Sequence, residues 1–293
     1  MTAPSCGPHY GAGRGRFEST GEAKMSEARP TILLLDGKRR GHFYEEIRGA
    51  MDAEWLIGDT GEPVAAKAED IDLTINNGEY NASVSAAVRE YARHGVPSLH
   101  IVDGILEWRS TWENPRTASQ ERGMPLFQPV LSDKIACLGR SQVRILESWG
   151  NLGRCEIVGA PRFDRLLGRR PRGRRPEEAF RVLVMTAKTP GFTPRQVEMV
   201  RRGLKDLGRW FAQNPEIAGT RIEPVWRLTG KLPEEIGVAS DASDFTGKQL
   251  AEVLELVDAV VTTPSTAMLE AMLQGVPVAL LDYNNRPHYV PAA

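Results

Sequence analysis

The sequence predicts an α/β fold made of two consecutive units, each with a parallel β-sheet covered by helices. Three observations predict it. Short apolar segments end in Gly- or Asp-rich turns and are followed by helical stretches, a Pro- and Arg-rich stretch over 165–178 interrupts this alternation, and the alternation then starts again. Strands that alternate with helices typically form parallel sheets buried on both faces.

Composition limits the class of protein. The 293 residues are 41% hydrophobic and 26% charged, which is enough to bury one large core or two of moderate size. With 37 basic and 38 acidic residues the net charge is only -1, so no global field draws the chain to nucleic acid or to an anionic membrane. We expect no nucleic-acid partner and at most peripheral membrane association.

Cysteine usage and hydropathy indicate a location. The three cysteines are far apart and lack Cys-x-x-Cys spacing, which argues against a disulfide framework or a structural zinc site. No apolar run approaches the ~20 residues that cross a bilayer, and the N-terminus has no signal-peptide core. We therefore expect a cytoplasmic protein.

The first predicted unit covers 29–164. Residues 1–28 have no hydrophobic period and are expected to be disordered, because they offer little apolar surface to offset the entropy of ordering. The predicted strands are Ile32–Leu35, Asp72–Ile75, Ser98–Val102, Lys134–Leu138 and Glu156–Val158, and the predicted helices are Tyr44–Met51, Ala82–Arg93 and Gln142–Trp149.

The second predicted unit covers 180–293 and follows a linker over 165–179. Repeated arginines and two prolines in that linker favour a solvated connection over a nucleic-acid site. The predicted strands are Arg181–Met185, Glu223–Leu228, Ala259–Val261 and Val278–Leu281, and the predicted helices are Pro194–Phe211, Gly247–Leu256 and Thr266–Gln274.

The strongest site signal lies where a buried strand runs into Thr263, Ser265 and Thr266 and a helix follows at once. Free N–H groups at the positive end of a helix suit a diphosphate without a metal. Glu270 lies one turn into that helix, where its carboxylate could accept ribose hydroxyls. The alternative is that Ser265 or Thr266 only caps the helix and Glu270 is a solvated side chain.

This segment, with Gly275, Pro277 and Val278 after it, resembles the donor-binding segment of GT-B glycosyltransferases. That group includes capsule and teichoic-acid polymer transferases of the CDP-glycerol glycerophosphotransferase kind, and the related UDP-N-acetylglucosamine 2-epimerases. The resemblance implies two Rossmann-like domains that face each other across a cleft. It also implies a nucleotide-sugar donor, a glycan or lipid-linked acceptor, and no metal or other cofactor.

A second resemblance lies at Gly159, Ala160, Pro161 and Asp164, which match a G-N/A-P-x-x-D element of the same group. The resemblance places Gly159 and Pro161 at the mouth of the interdomain cleft. The alternative is an ordinary turn at the end of a strand.

Acidic residues follow the strand Ser98–Val102, and this stretch resembles the capsule-polysaccharide branch of the group. Carboxylates at the carboxyl ends of parallel strands face the ligand crevice. Asp103 and Glu107 are therefore candidates for the general base that deprotonates an acceptor hydroxyl. Alternatively, Asp103 and Gly104 only form a turn.

The first βα turn places Gly37 and Gly41 around three cations and His42. Glycine permits close approach of backbone to a ligand. The resemblance places this loop on the acceptor side of the cleft, so His42 is a third candidate for catalysis. A solvated basic loop is the alternative.

Two basic residues of the second unit are candidates for contacts with donor phosphates. Lys188 lies in the loop after the strand Arg181–Met185, and Arg227 lies near the end of Glu223–Leu228. Polymer transferases carry an Arg and often a His-Pro pair at the second place. Here the His-Pro pair is missing, which puts a teichoic-acid-type mechanism in doubt.

The expected function is that of a metal-independent glycosyltransferase in surface-polysaccharide biosynthesis, which moves a sugar or polyol phosphate from a nucleotide to an acceptor. A 2-epimerase-like enzyme and a non-catalytic nucleotide- or glycan-binding protein are the alternatives. The resemblance implies further helices after Val278–Leu281, so we expect the second unit to be incomplete.

Overall fold

A computed structural model describes residues 29–59, 66–106, 108–114, 126–175, 177–239 and 247–281. The predicted disorder over 1–28 and the candidate base Glu107 lie outside these residues. Within them, no helix is both long enough and apolar enough to cross a membrane.

The first sheet has six parallel strands in the order β2-β1-β3-β4-β5-β6. The order changes direction between β1 and β3, and ligands of open α/β sheets bind beyond the carboxyl ends of strands at such a point. The strands are β1 (Thr31–Leu34), β2 (Glu54–Ile57), β3 (Leu73–Asn76), β4 (Ser98–Ile101), β5 (Lys134–Cys137) and β6 (Cys155–Ile157).

Helices cover both faces of this sheet. Side chains alternate along a strand, so Leu33 packs into one buried cluster with Val84, whereas Ile32 packs into another with Tyr44. The helices are α1 (Gly37–Arg40), α2 (Glu45–Ala50), α3 (Ala82–Arg93), α4 (Trp108–Trp112) and α5 (Arg140–Ser148).

The second sheet has the order β11-β10-β7-β9-β8, and its direction of growth changes between β7 and β10. All its pairs are parallel except β8 with β9. The strands are β7 (Phe180–Met185), β8 (Glu216–Ile217), β9 (Thr220–Arg227), β10 (Ala259–Thr262) and β11 (Val278–Leu280). The helices are α6 (Pro194–Gln213), α7 (Leu232–Ile236), α8 (Leu250–Leu254) and α9 (Ala267–Leu273).

Local sequence explains where the longest helix begins. Thr193 accepts a hydrogen bond from the Gln196 backbone, and the Gln196 side chain accepts one from the Thr193 backbone, which together form a capping box. Pro194 stands at the first helical position, where no backbone N–H is needed. The buried face of α6 then packs Val200, Leu204 and Phe211 into the core of the second sheet.

The predicted α/β class with two sheets is confirmed, and every predicted strand and helix has a counterpart with bounds shifted by a few residues. The prediction missed β2 and β8 and the short helices α1, α4 and α7. The missed strand β8 forms an antiparallel hairpin with β9, so the second sheet has one antiparallel pair at its edge. Segments this short carry too little period to be recognised.

Residues 158–179 join the two sheets and include a 3-10 turn over Pro161–Leu166. This turn places Phe163 and Leu166 in a buried cluster with Met268 and Leu269 of α9. The connection therefore packs against the second unit before the chain enters β7. The predicted linker bounds, 165–179, stay a prediction.

Candidate functional site

Loops at the carboxyl ends of both sheets meet at one junction. The Thr266 hydroxyl oxygen, just after β10, accepts a hydrogen bond of 3.2 Å from the backbone N–H of Ile105, just after β4. A Cβ atom on Gly104 would lie 1.9 Å from that hydroxyl oxygen. The close approach of the two units therefore requires glycine at 104.

An ion pair forms the second contact across the junction. Arg162 Nη1 lies 3.7 Å from Glu270 Oε1, and the two side chains are only 14% and 15% exposed. The guanidinium carbon of Arg162 lies 5.2 Å from the ring centre of Phe43 and 4.6 Å from that of Phe163. Both distances suit cation–π contact, so the guanidinium is held between two aromatic rings.

Burial disfavours both charges of this pair. It lowers the pKa of Arg162, although the negative charges of Glu270 and Asp103 act in the other direction. It raises the pKa of Glu270, although the positive charges of Arg162, Arg165 and Arg227 oppose this rise. The charges of three arginines thus act on one largely buried carboxylate.

Arg40 brings a second cation to the junction from α1. Its Nη1 lies 3.3 Å from Asp103 Oδ2, and its Nη2 is hydrogen-bonded to the Tyr80 hydroxyl. Lys38 and Arg39 of the same helix instead lie 3.9 Å and 3.4 Å from carboxylate oxygens of Asp59. Among the three predicted cations of this loop, Arg40 faces Asp103.

A buried carboxylate supports the Arg40 loop. Asp36 accepts a hydrogen bond of 2.6 Å from the Tyr44 hydroxyl and one of 3.2 Å from the Asn77 backbone. Burial raises the pKa of Asp36, although these hydrogen bonds oppose the rise. A Cβ on Gly78 would lie 2.8 Å from Asp36 Oδ2, so the β3 loop approaches the β1 loop closely.

His42 lies beside this group and is exposed. Its ring centre is 4.0 Å from that of Phe43. Burial lowers the pKa of His42, and the positive charges of Arg162 and Arg40 add to the effect. Because the usual value is about 6.5, the imidazole is mainly neutral at pH 7 and is able to accept a proton.

The predicted donor loop divides into supporting and available groups. Thr263 is buried, and its hydroxyl accepts a hydrogen bond of 2.7 Å from the Ala187 backbone. This bond fixes the loop that carries Lys188 against the loop after β10. Thr266 precedes α9 but makes no side-chain cap bond, so the helix-cap alternative is wrong for Thr266. The Ser265 hydroxyl is half-buried and has no hydrogen bond to the described residues.

The two predicted phosphate contacts lie around the same edge of the second sheet. Lys188 is exposed in the loop after β7. Arg227 ends β9, is half-buried and donates a hydrogen bond of 3.4 Å to the Lys248 carbonyl. Its charge acts on Glu270, as described above. The roles of both residues stay predictions.

The four predicted cleft-lining residues have different surroundings. Gly37 is buried, and a Cβ there would lie 2.9 Å from Ile57 Cγ2, so its packing against β2 accounts for glycine. Gly41 has open space around its Cα. Gly159 has a φ of 78°, which favours glycine, and Pro161 begins the turn that carries Arg162.

Sequence reasoning missed Arg162, Tyr80, Phe43 and the steric role of Gly104. Arg162 directly follows the matched Gly-Ala-Pro element, so its place in the chain was a usable signal. Tyr80 follows β3 at the point where the order of the first sheet changes direction, and the rule for ligand crevices indicates this place. Nothing local marks Phe43 as the partner of two arginines.

The sequence matches no protein-family profile and no curated protein. Among solved structures, it is similar to a variant of the wall teichoic acid polymerase TagF, with 13% identity, a TM-score of 0.49, and coverage of 87% of this chain and 70% of that one.

It is also similar to CalG4, the calicheamicin glycosyltransferase, with 15% identity and a TM-score of 0.42, covering 86% of this chain and 79% of that one. A mutant O-GlcNAc transferase of Thermobaculum terrenum gives 16% identity and a TM-score of 0.41, covering 86% and 52%. The strand order of the two sheets carries the fold assignment, that of two α/β units meeting at their carboxyl-end loops.

Proposed function

We propose that the chain is a glycosyltransferase-like enzyme, which moves a sugar or polyol phosphate from a nucleotide donor to a glycan or lipid-linked acceptor. The observation that carries the proposal is the junction at which the carboxyl-end loops of two α/β sheets meet. Groups from the first unit (Arg40, His42, Asp103) and from the second (Thr266, Glu270) lie there. Ligands of parallel α/β sheets bind at this edge.

The second unit is suited to the donor. The Ser265 hydroxyl has no hydrogen bond to the described residues and is available to a phosphate oxygen. Lys188 supplies positive charge from the loop after β7, and Arg227 supplies it from the end of β9. Thr263 positions the β7 loop through its bond to Ala187. Fixed donors and charges of this kind stabilise the negative charge that develops on a leaving nucleotide.

The first unit is suited to the acceptor. We assign deprotonation of the acceptor hydroxyl to His42, because its imidazole is mainly neutral at pH 7. The acceptor oxygen forms a bond to the transferred carbon or phosphorus, its proton passes to His42, and the nucleotide leaves with the bonding electrons. Asp103 is paired with Arg40, so its carboxylate is assigned to holding that guanidinium in place.

Calorimetric titration tests the proposal. UDP, CDP, GDP and CMP are titrated into the wild type and into Ser265→Ala and Glu270→Ala. The matched controls are Ser148→Ala, at the exposed end of α5, and Glu255→Ala, at the surface ion pair with Arg169. We expect at least one nucleotide to bind, more weakly to both junction variants and unchanged to both controls. If none binds, or if all proteins bind equally, the proposal fails.

A further inference from the structure

Arg162 is short of hydrogen-bond partners. A guanidinium has five N–H donors, yet Arg162 makes no hydrogen bond to any residue that the structure describes, and its Nε is fully enclosed. Its nearest carboxylate oxygen, on Glu270, lies 3.7 Å away, beyond the roughly 2.7–3.2 Å of an N–H···O bond. Buried polar groups nearly always have partners, so this side chain is poised for a ligand.

The guanidinium is also held in one orientation. Its guanidinium carbon contacts the rings of Phe43 and Phe163, and the side chain begins in the 3-10 turn that packs against α9. A planar fork fixed in this way matches two oxygens of a phosphate or carboxylate, and little rotamer freedom remains to be lost on binding.

The surrounding charges favour an anion. The positive charges of Arg162, Arg165 and Arg227 all oppose the rise that burial causes in the pKa of Glu270. Two other acids, Asp103 and Glu46, also act on Arg162. Asp103, however, has Arg40 at 3.3 Å, and its charge is shared with that residue.

We propose that Arg162 is a receptor for the phosphates of a diphosphate-bearing ligand, and that Glu270 stands in for the phosphate when no ligand is bound. A phosphate carries negative charge and has two oxygens that accept hydrogen bonds from the guanidinium. It replaces a carboxylate that makes no hydrogen bond to Arg162. The exchange releases Glu270 to accept the ribose hydroxyls of the same ligand. The identity of that ligand rests on the proposed function, whereas the anion receptor does not.

The test uses inorganic pyrophosphate, which has neither ribose nor base. Calorimetric titration compares the wild type with Arg162→Gln, Arg162→Lys and Glu270→Gln. Arg169→Gln is the matched control, because Arg169 lies in the same connection but pairs with Glu255 at the surface. Circular dichroism and thermal melting establish that each variant is folded, and Arg162→Lys supplies a second substitution if Arg162→Gln is not.

We expect Arg162→Gln to bind pyrophosphate at least tenfold more weakly than the wild type, and Arg162→Lys to bind it several-fold more weakly, because the planar fork is lost. Glu270→Gln should bind it several-fold more tightly, because the competing carboxylate is gone. Arg169→Gln should bind it as the wild type does. If the ion pair were purely structural, substitutions at Arg162 and at Glu270 would both weaken the binding of pyrophosphate. The proposal predicts weaker binding for Arg162→Gln and tighter binding for Glu270→Gln.

Equal affinity of the wild type and both Arg162 variants overturns the proposal, as does an absence of binding in both the wild type and Glu270→Gln. These results are independent of the nucleotide panel. Nucleotide binding without an Arg162 effect on pyrophosphate rejects the receptor and leaves the proposed function standing. If pyrophosphate binds with the expected pattern but no nucleotide binds, the receptor stands and the proposed function is rejected.

Discussion

Thr266 and Ile105 are joined by a hydrogen bond of 3.2 Å from the Ile105 backbone to the Thr266 hydroxyl, although the residues belong to different sheets. The bond fixes the start of α9, and with it Glu270, relative to the loop that carries Asp103. The sequence assigned Thr266 to a phosphate or to a helix cap. Its hydroxyl joins the two units, and a contact between Thr266 and a phosphate stays a prediction.

Replacing Gly104 tests this contact. Gly104→Ala places a methyl group 1.9 Å from Thr266 Oγ1, and overpacking of this kind costs about 1–3 kcal/mol. We expect the free energy of unfolding, measured with urea, to fall by an amount in that range. Gly139→Ala is the control, because a Cβ there meets nothing within 4 Å. Adding Thr266→Ala should restore part of the loss, and a Gly104→Ala protein as stable as the control contradicts the contact.

Removing the Tyr44 hydroxyl should destabilise the first unit. Tyr44→Phe deprives the buried Asp36 carboxyl of a 2.6 Å hydrogen bond, and bonds to charged groups contribute about 1.5–3 kcal/mol. Tyr91→Phe is the comparison, because the Tyr91 hydroxyl donates to the neutral carbonyl of Ala66. Urea unfolding should show the larger loss for Tyr44→Phe, and a larger loss for Tyr91→Phe would refute the importance of this network.

The proposed base predicts a pH dependence. Burial lowers the pKa of His42 from its usual value, so protonation inactivates the base only below that value. Transfer activity should therefore decline at acid pH through a limb below about 6.5. In His42→Gln, kcat should drop by about 10²–10⁴-fold, and this limb should disappear. If the acid limb is unchanged in His42→Gln, the base is another group. Asp103→Asn then tests whether that group is Asp103.

Stability should also respond to the ionisation of Glu270. Burial raises the pKa of this carboxyl in the folded chain, so the folded state holds the proton more tightly than the unfolded state. This tighter proton binding stabilises the folded state. The stabilisation is fully present below the usual pKa of glutamate, about 4.3, and is lost as pH rises through the pKa of Glu270 in the folded chain. Glu270→Gln should thus gain stability relative to the wild type as pH rises.

Urea unfolding of both proteins between about pH 4 and pH 8 measures this difference across the titration range of a shifted glutamate. Glu255→Gln, at the exposed pair with Arg169, is the control and should show the smaller change. If the wild type instead gains stability relative to Glu270→Gln as pH rises, the attraction between Arg162 and the ionised carboxylate outweighs the cost of burying it, which contradicts the prediction.

Much of the fold was predictable because the core strands carry a strong local signal. β1 contains the apolar run Ile32–Leu34 and β7 the apolar run Val182–Met185, and such runs indicate strands buried on both faces. β2 was not predictable in the same way, since its four residues are half-buried or exposed. β8 has only two residues and is defined by its pairing with β9.

The site was predictable only where chemistry follows a strand end. Asp103 was found by that rule, whereas Glu270 was indicated by its position one turn into the helix after β10 and by the resemblance to GT-B glycosyltransferases. Arg162 follows the matched Gly-Ala-Pro element, but no spacing indicates its contacts with Phe43 and Glu270, which lie far away in the sequence. Likewise, the steric demand at Gly104 exists only because Thr266 comes from the other sheet.

The most direct test of the account is the crystal structure of the protein with a nucleoside diphosphate that binds in solution. We predict that the diphosphate lies at the junction, within hydrogen-bonding distance of Ser265 and Arg162, with Glu270 turned from Arg162 to the ribose. A nucleotide bound elsewhere, or one bound here with the Arg162–Glu270 contact intact, would contradict the account.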